Sequence, residues 1–190
     1  MALIDRVKNI LVTPKSEWLV IAGESASVQS LYVGYILILA AIGPIAIALR
    51  FGLFGMGIGV ALISYGLGLV MVYLLAWIAD ALAPSFDGEK NFIRSLQLVA
   101  YSFTAAWVAG IFHLLPFVGS LLALAAAIYS LYTFYLGAPI LKRCSQEKAV
   151  GYTIVVVLCA LVLGSVLSYV LFSVFMGGAM MTVMGAGMMR

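Results

Sequence analysis

Charge is what this sequence has least of. Only 9% of its 190 residues are Asp, Glu, Lys or Arg, whereas 65% are hydrophobic and the mean hydropathy is +1.20. About a quarter of the residues in an ordinary soluble domain are charged, so the composition excludes that class and indicates an integral membrane protein. Each crossing needs about 20 residues, so the length allows about five spans and leaves no room for a soluble catalytic domain.

Metal ligands and catalytic bases are also scarce. The chain has one histidine, His113, and two cysteines, Cys144 and Cys159. A helix would hold these cysteines roughly 22 Å apart, too far for a disulfide. We find no nucleophile with a base, no phosphate-binding glycine loop and no dinucleotide fingerprint, so we predict no enzyme activity, no cofactor and no metal site. The net charge of +3 comes from Lys and Arg beside apolar segments, which favours contact with lipid and not with nucleic acid.

The longest uncharged run, Ser95 to Leu141, sets the architecture. As a helix it would be roughly 70 Å long, more than twice the roughly 30 Å of a bilayer's hydrocarbon core, so the chain must fold back. Pro116 removes a backbone donor near the middle of the run, and Gly119 permits a turn. The run therefore predicts two helices joined by a tight hairpin turn at Pro116 and Gly119.

The predicted fold class is all-α, a polytopic transmembrane helical bundle of five spans preceded by a short amphipathic interfacial helix. The spans are expected at about 31–49, 56–79, 95–115, 117–141 and 151–175. The chain divides into a cytoplasmic amphipathic segment (1–30), a five-span membrane domain (31–176) and a Gly/Met-rich tail (177–190).

Three local expectations accompany this division. Residues 1–12 should form the interfacial helix, with Arg6 on its polar face. Trp18 should lie at headgroup depth, and Pro44 should kink the first span.

The basic residues predict the orientation. Eight fall on one side of the predicted spans and two on the other. The eight are Arg6, Lys8, Lys15, Lys90, Arg94, Lys142, Arg143 and Lys148, and the two are Arg50 and Arg190. By the positive-inside rule the N-terminus is cytoplasmic and the C-terminus lies on the opposite side of the plasma membrane, the inner membrane of a bacterium.

A set of residues spread along the chain resembles the YIP family of Ypt/Rab-interacting membrane proteins, in particular its short prokaryotic branch. The set comprises Pro14, Trp18, Ile21, Glu24, Asp87-Gly88, Leu96, Val99, Tyr101, Ser102, Phe103, Leu115-Pro116-Phe117-Val118-Gly119, Tyr129, Leu131, Tyr132, Leu136-Gly137 and Ala149. The resemblance implies a five-span bundle with a cytosolic N-terminus. The acidic-Leu-Tyr-Gly-Pro motif of eukaryotic members is missing, so partnership with a GTPase is not carried over.

Polar residues at membrane depth are the candidates for function. Asp80, at the end of the second span, is expected to pair with Lys90 or Arg94, with a role in an ion pathway as the alternative. His113 is either a polar helix end or a pH-sensitive gate. The central helices carry hydroxyls that either bond between helices or line a cavity for a lipid headgroup or small solute, namely Tyr101, Ser102, Thr104, Tyr129, Tyr132 and Thr133.

Two function classes remain open. The first is a non-enzymatic YIP-type scaffold that organises membrane protein or lipid traffic, with a membrane or cytosolic protein partner at the cytoplasmic loops. The alternative is a small transporter or channel for an ion, lipid or small solute through the polar-lined central helices. Gly55 and Gly59 form a G-x-x-x-G step that indicates helix packing within the bundle or, alternatively, a homo-oligomer.

Overall fold

The structure is a computed structural model that describes residues 2–51 and 56–188, and each element in those ranges is helical. The α-helices are α1 (Leu3–Val12), α2 (Pro14–Gly23), α3 (Val28–Leu31), α4 (Leu37–Ala40), α5 (Ile42–Phe51), α6 (Met56–Leu82), α7 (Phe92–Ser102), α8 (Thr104–Ala109), α9 (Pro116–Lys142) and α10 (Gln146–Met188). A π-helical turn covers Tyr32–Ile36, and 3₁₀ turns cover Ala83–Phe86 and Gly110–Leu114.

Five helical stretches are long and apolar enough to cross a membrane, which confirms the predicted five-span fold. They are Val28–Phe51, Ile58–Phe86, Phe92–Leu114, Phe117–Lys142 and Gln146–Val170. We call the end of the bundle that carries residues 83–91 and 143–145 the loop end, and the end that carries Leu115 the hairpin end. Several helices begin or end beyond the predicted apolar limits because polar residues at the loop end continue the helical hydrogen bonding.

The first span is irregular one turn before Pro44, and the kink predicted at this residue stays a prediction. Helix α4 ends at Ala40 and α5 begins at Ile42. Pro44 has no N–H to donate to the Ala40 carbonyl, so the regular ladder is interrupted one turn before the proline. Hydrogen bonding resumes with Ile45 N–H donating to the Ala41 carbonyl at 3.0 Å.

The predicted hairpin turn is present between α8 and α9. Leu115 has an extended backbone (φ −98°, ψ 120°), and α9 begins with Pro116. Gly119 does not form the turn itself: it lies in the first turn of α9, where an added Cβ would approach the Phe112 carbonyl oxygen to 2.0 Å. The glycine is therefore required by the close contact between the two helices.

Helices α1 and α2 form a hairpin, the N-terminal hairpin, that packs against α7, α8 and α9. Trp18 is fully buried there, and its indole N–H donates to the Thr133 carbonyl at 3.0 Å. An added Cβ on Gly137 would lie 2.6 Å from Trp18 Cε2, so α9 presents a glycine surface to the indole ring. The ring is covered by α9 and by Leu98 of α7 and not by lipid. Its position at headgroup depth stays a prediction.

The close helix contact also involves different glycines from those expected. An added Cβ on Gly110 would come within 2.8 Å of Gly43 Cα, so the first and third spans touch at these two residues. Gly59 has no described atom within 4 Å of an added Cβ, and Gly55 lies outside the described residues. Gly59 therefore makes no tight contact with the described part of the chain, and the homo-oligomer alternative stays a prediction.

Candidate functional site

Arg6 is the most unusual residue of the N-terminal hairpin, because only 5% of its surface is exposed. Its guanidinium donates to the carboxylates of Glu17 and Glu24, and its Cζ lies 5.4 Å from the centre of the Tyr101 ring. The prediction that Arg6 faces solvent is wrong because α2 turns back beside α1 and supplies both carboxylates. The fork-shaped guanidinium can bind both at once, which a lysine ammonium does less well.

A cavity of about 590 Å³, the Arg6 cavity, opens beside this cluster. Its polar lining includes Arg6, Glu24, Ser30, Tyr35 and Tyr101. Arg6 already has a carboxylate on each side, so the cavity offers hydrogen-bond acceptors and hydroxyls more than free positive charge. Its chemistry suits a hydrogen-bond donor or an amine more than an anion.

A hydroxyl network closes the deep side of the Arg6 cavity. Tyr35 Oη and Thr104 Oγ1 lie 2.6 Å apart, and Thr104 Oγ1 donates to the Tyr101 carbonyl at 2.5 Å. The rings of Tyr35 and Tyr101 meet edge to face with centroids 4.7 Å apart. The first and third spans are thus linked by the kind of interhelical hydrogen bond that the hydroxyls predicted.

Asp80 pairs with Lys142 and not with Lys90 or Arg94 as expected. Lys142 Nζ donates to Asp80 Oδ1 at 2.7 Å and to Ser95 Oγ at 2.7 Å, and the lysine side chain is 1% exposed. The Asn91 N–H also donates to Asp80 Oδ1, at 2.7 Å. The partner differs from the prediction because α9 extends to Lys142, which carries the ammonium into the gap between the second and third spans.

Further contacts join the loops at this end of the bundle. Glu89 N–H donates to the Lys142 carbonyl at 2.8 Å, and Arg143 pairs with Glu89 at 3.2 Å. Lys148 pairs with Asp87 at 2.7 Å. We call the surface formed by residues 80–94, residues 142–150 and the N-terminal hairpin the loop face.

Arg94 joins the N-terminal hairpin to the loop face. Its guanidinium donates to the carbonyls of Ala22 at 2.8 Å and Ile21 at 3.1 Å, at the end of α2. The Gln97 Oε1 atom accepts from the same guanidinium at 3.1 Å. The Ile21 carbonyl also accepts from the Glu24 N–H at 3.2 Å. Both carbonyls belong to the last turn of α2, where helical donors run out, so Arg94 caps the helix.

The other predicted residues separate into three places. His113 is exposed at the hairpin end, where its Nδ1 donates to the Gly110 carbonyl at 2.7 Å. Tyr129 Oη donates to the Leu11 carbonyl at 2.9 Å, and Tyr132 is exposed nearby. Thr133 Oγ1 donates to the Ser130 carbonyl of its own helix at 2.9 Å and lies 3.5 Å from the Ser102 carbonyl of α7. Ser102 Oγ is buried without a partner among the described residues.

In the described part of the chain, neither Cys144 nor a cluster of His, Cys, Asp and Glu side chains forms a reactive site. Burial raises the pKa of the Cys144 thiol, so the thiol stays protonated and weakly nucleophilic at neutral pH. Among the described residues, no three His, Cys, Asp or Glu side chains come together as a metal site would require.

Sequence reasoning missed Arg6, Glu17 and Tyr35 as site residues. A signal for Arg6 was present, because on a helix it lies three residues after Leu3 and four before Ile10, within the apolar stripe. The apolar run predicts that the fourth span ends at Leu141, whereas α9 includes Lys142, so its pairing with Asp80 has no signal in the sequence.

Comparison with known proteins now identifies the family. A family model described as the Yip1 domain matches residues 8–167. The chain belongs to the Yip1 domain family. This confirms the resemblance drawn from the sequence, and the match extends from α1 into the fifth apolar stretch. No curated protein and no solved structure matches the chain. The chain is an integral membrane protein whose outer surface contacts lipid.

Proposed function

We propose that this member of the Yip1 domain family is a non-enzymatic scaffold that organises membrane protein or lipid traffic, and that a protein partner binds its loop face on the cytoplasmic side of the plasma (bacterial inner) membrane. The observation that carries the proposal is the joining of three separate segments into one surface. Arg94 joins the N-terminal hairpin to the third span, and Lys142 joins the 80–94 and 142–150 segments.

A pre-organised surface suits recognition, because binding then spends little free energy on ordering the segments. The loop face also exposes charges of both signs, including Lys8, Lys90 and Glu147. Mixed charges of this kind set the orientation and specificity of a partner more than its affinity. A scaffold needs such a surface and needs no catalytic group.

A transporter is the second candidate, favoured by the polar Arg6 cavity beside Tyr35 and Tyr101. Two features weigh against a continuous pathway. Asp80 and His113 lie near opposite ends of the third span, and Asp80 is held by Lys142. Between them, Gly110 packs directly against Gly43.

Site-directed photo-crosslinking in intact cells tests the scaffold proposal. The photoreactive residue is placed at Ser85 or Lys8, both exposed on the loop face, and at Ser120, exposed near the hairpin end, as the matched control. We expect a protein adduct of the same mass from Ser85 and Lys8, none from Ser120, and loss of the adduct when Lys90→Glu is added.

Two results would count against the scaffold. Equal labelling from Ser85 and Ser120 would show that contact is not confined to the loop face. Solute flux in liposomes that Tyr101→Phe abolishes, with the adduct absent, would favour the transporter.

A further inference from the structure

A groove on the outside of the bundle lies apart from the Arg6 cavity. It has a volume of about 340 Å³ and runs between α8 and α9. Its walls are almost wholly apolar and include Ala109, Phe112, Leu122 and Ala125. From Leu122 to Tyr129 the groove follows α9 for roughly 10 Å, which is long enough for a run of methylene groups. We call it the acyl groove.

A second cavity, which is more polar than the acyl groove and which we call the polar cavity, begins where the groove ends. It has a volume of about 430 Å³ at the turn of the N-terminal hairpin, and its lining mixes the apolar Val12 and Pro14 with Thr13, Lys15, Ser16 and Tyr132. Tyr129 lines both spaces, so they meet at its ring. The Tyr129 hydroxyl donates to the Leu11 carbonyl at 2.9 Å, which fixes the ring between the two.

The position of this junction matches a membrane surface. From Phe117 to Leu131 the exposed large residues of α9 are aliphatic or phenyl, and Tyr132 is the first exposed tyrosine. Along the helix Tyr132 lies roughly 24 Å from Pro116, about 6 Å short of a hydrocarbon core of roughly 30 Å, a gap that a long side chain can bridge to reach the headgroups. Tyrosine rings and lysine side chains collect at the boundary between hydrocarbon and headgroups.

We propose that the two spaces together bind an anionic phospholipid, with one acyl chain in the acyl groove and the phosphate beside Lys15. The groove is apolar and opens toward the hydrocarbon side of Tyr129, as an acyl chain requires. The polar cavity carries the Lys15 ammonium, which complements a phosphate. Tyr132 adds a hydroxyl at the same cavity. The headgroup of the lipid would therefore contact hydrogen-bond donors, while its acyl chain contacts apolar side chains.

Native mass spectrometry of the delipidated full chain, titrated with phosphatidylglycerol or phosphatidylcholine, tests the proposal. We expect one phosphatidylglycerol to be retained in preference to phosphatidylcholine. Lys15→Gln should weaken that binding by about tenfold, since a hydrogen bond to a charged group is worth roughly this factor. Ala125→Trp should block the groove and weaken binding to a similar extent.

Matched controls exist on the N-terminal hairpin and on α9. Lys8→Gln removes an exposed lysine from α1, and Ala127→Trp adds an indole to an exposed alanine of α9 that does not line the groove. Both should bind phosphatidylglycerol as the unmodified chain does. All four positions are exposed, and unchanged thermal unfolding without lipid checks that each variant is folded.

Several outcomes would overturn the proposal. Equal retention of the two lipids would contradict the preference for an anionic phospholipid. Equal effects of Lys15→Gln and Lys8→Gln would show that Lys15 makes no specific contact with the phosphate. If Ala125→Trp leaves binding unchanged, or if inorganic phosphate binds as strongly as the lipid, then no acyl chain lies in the groove. A dimer that Ala125→Trp dissociates would show that a second copy of the chain covers the groove.

Discussion

At the scale of single residues, the described part of this 65% hydrophobic chain buries two cations. Arg6 and Lys142 are 5% and 1% exposed. Burial of an unpaired charge is prohibitively costly, so each requires an anionic partner and further hydrogen bonds. Arg6 has Glu17 and Glu24, and Lys142 has Asp80, Ser95 and the Asn91 carbonyl. The two sites hold the N-terminal hairpin and the loop end in defined positions.

Lys142→Met tests the buried pair. The variant leaves the Asp80 carboxylate without its cation, and loss of one partner of a buried pair costs about 3 kcal/mol or more of the free energy of unfolding. Arg143→Met is the matched control, because the Arg143 side chain is 74% exposed and its pair with Glu89 should contribute less than about 1 kcal/mol. Unfolding in mixed micelles measures both.

The double variant Asp80→Asn with Lys142→Met removes the charge imbalance and should recover part of the loss. Equal stability of Lys142→Met and Arg143→Met would contradict the argument, since the buried pair would then contribute no more than a surface pair.

For single residues, the sequence predicted the kind of interaction correctly but not the residue that takes part in it. Asp80 was predicted to form an ion pair, yet its partner is 62 positions further along the chain. Helical spacing fixes which residues share a face of one helix, but it does not fix which helices become neighbours. Partners within a span or adjacent loop are therefore predictable, and partners such as Lys142 depend on the packing of the whole bundle.

At the scale of elements, the N-terminal hairpin is attached to the bundle mainly through Trp18. The indole lies against Gly137 and Leu98, and Arg94 holds the end of α2. The five spans could be predicted because a chain in lipid must satisfy its backbone hydrogen bonds within helices. Each long apolar run in the sequence therefore indicates one membrane-spanning helix. The docking of α1 and α2 could not, because their composition fits a helix on the membrane surface equally well.

Gly137→Ala tests the attachment. An added Cβ would overlap the Trp18 indole, and overpacking of this kind costs about 1–3 kcal/mol. We expect faster hydrogen exchange in α2, measured by mass spectrometry, with the spans little affected.

Gly164→Ala is the control for this experiment, because no described atom lies within 4 Å of an added Cβ there. Alanine also favours a helix over glycine by about 1 kcal/mol, so the control should be neutral or slightly stabilising. Unchanged exchange of α2 in Gly137→Ala would show that Trp18 does not hold the hairpin.

At the scale of the whole molecule, the structure groups the basic residues at one end. Lys90, Lys142, Arg143 and Lys148 lie at the loop end, and Arg94 connects the hairpin to them. Arg50 lies at the hairpin end, where its guanidinium donates to the His113 carbonyl at 3.0 Å. The asymmetry read from the sequence is therefore also an asymmetry of the folded bundle, and the positive-inside rule predicts a cytoplasmic loop end.

Cysteine labelling in intact cells tests that orientation. Ser85→Cys at the loop end and His113→Cys at the hairpin end are both exposed, and each is placed in a chain carrying Cys144→Ala and Cys159→Ala. A membrane-impermeant maleimide should label His113→Cys directly and Ser85→Cys only after permeabilisation, because a cytoplasmic loop end is shielded by the membrane. The reverse labelling pattern would show that the bundle has the opposite orientation, with the loop face outside the cell and away from cytosolic partners. If both cysteines are labelled only after permeabilisation, both ends face the cytoplasm. The central hairpin would then re-enter the membrane without crossing it.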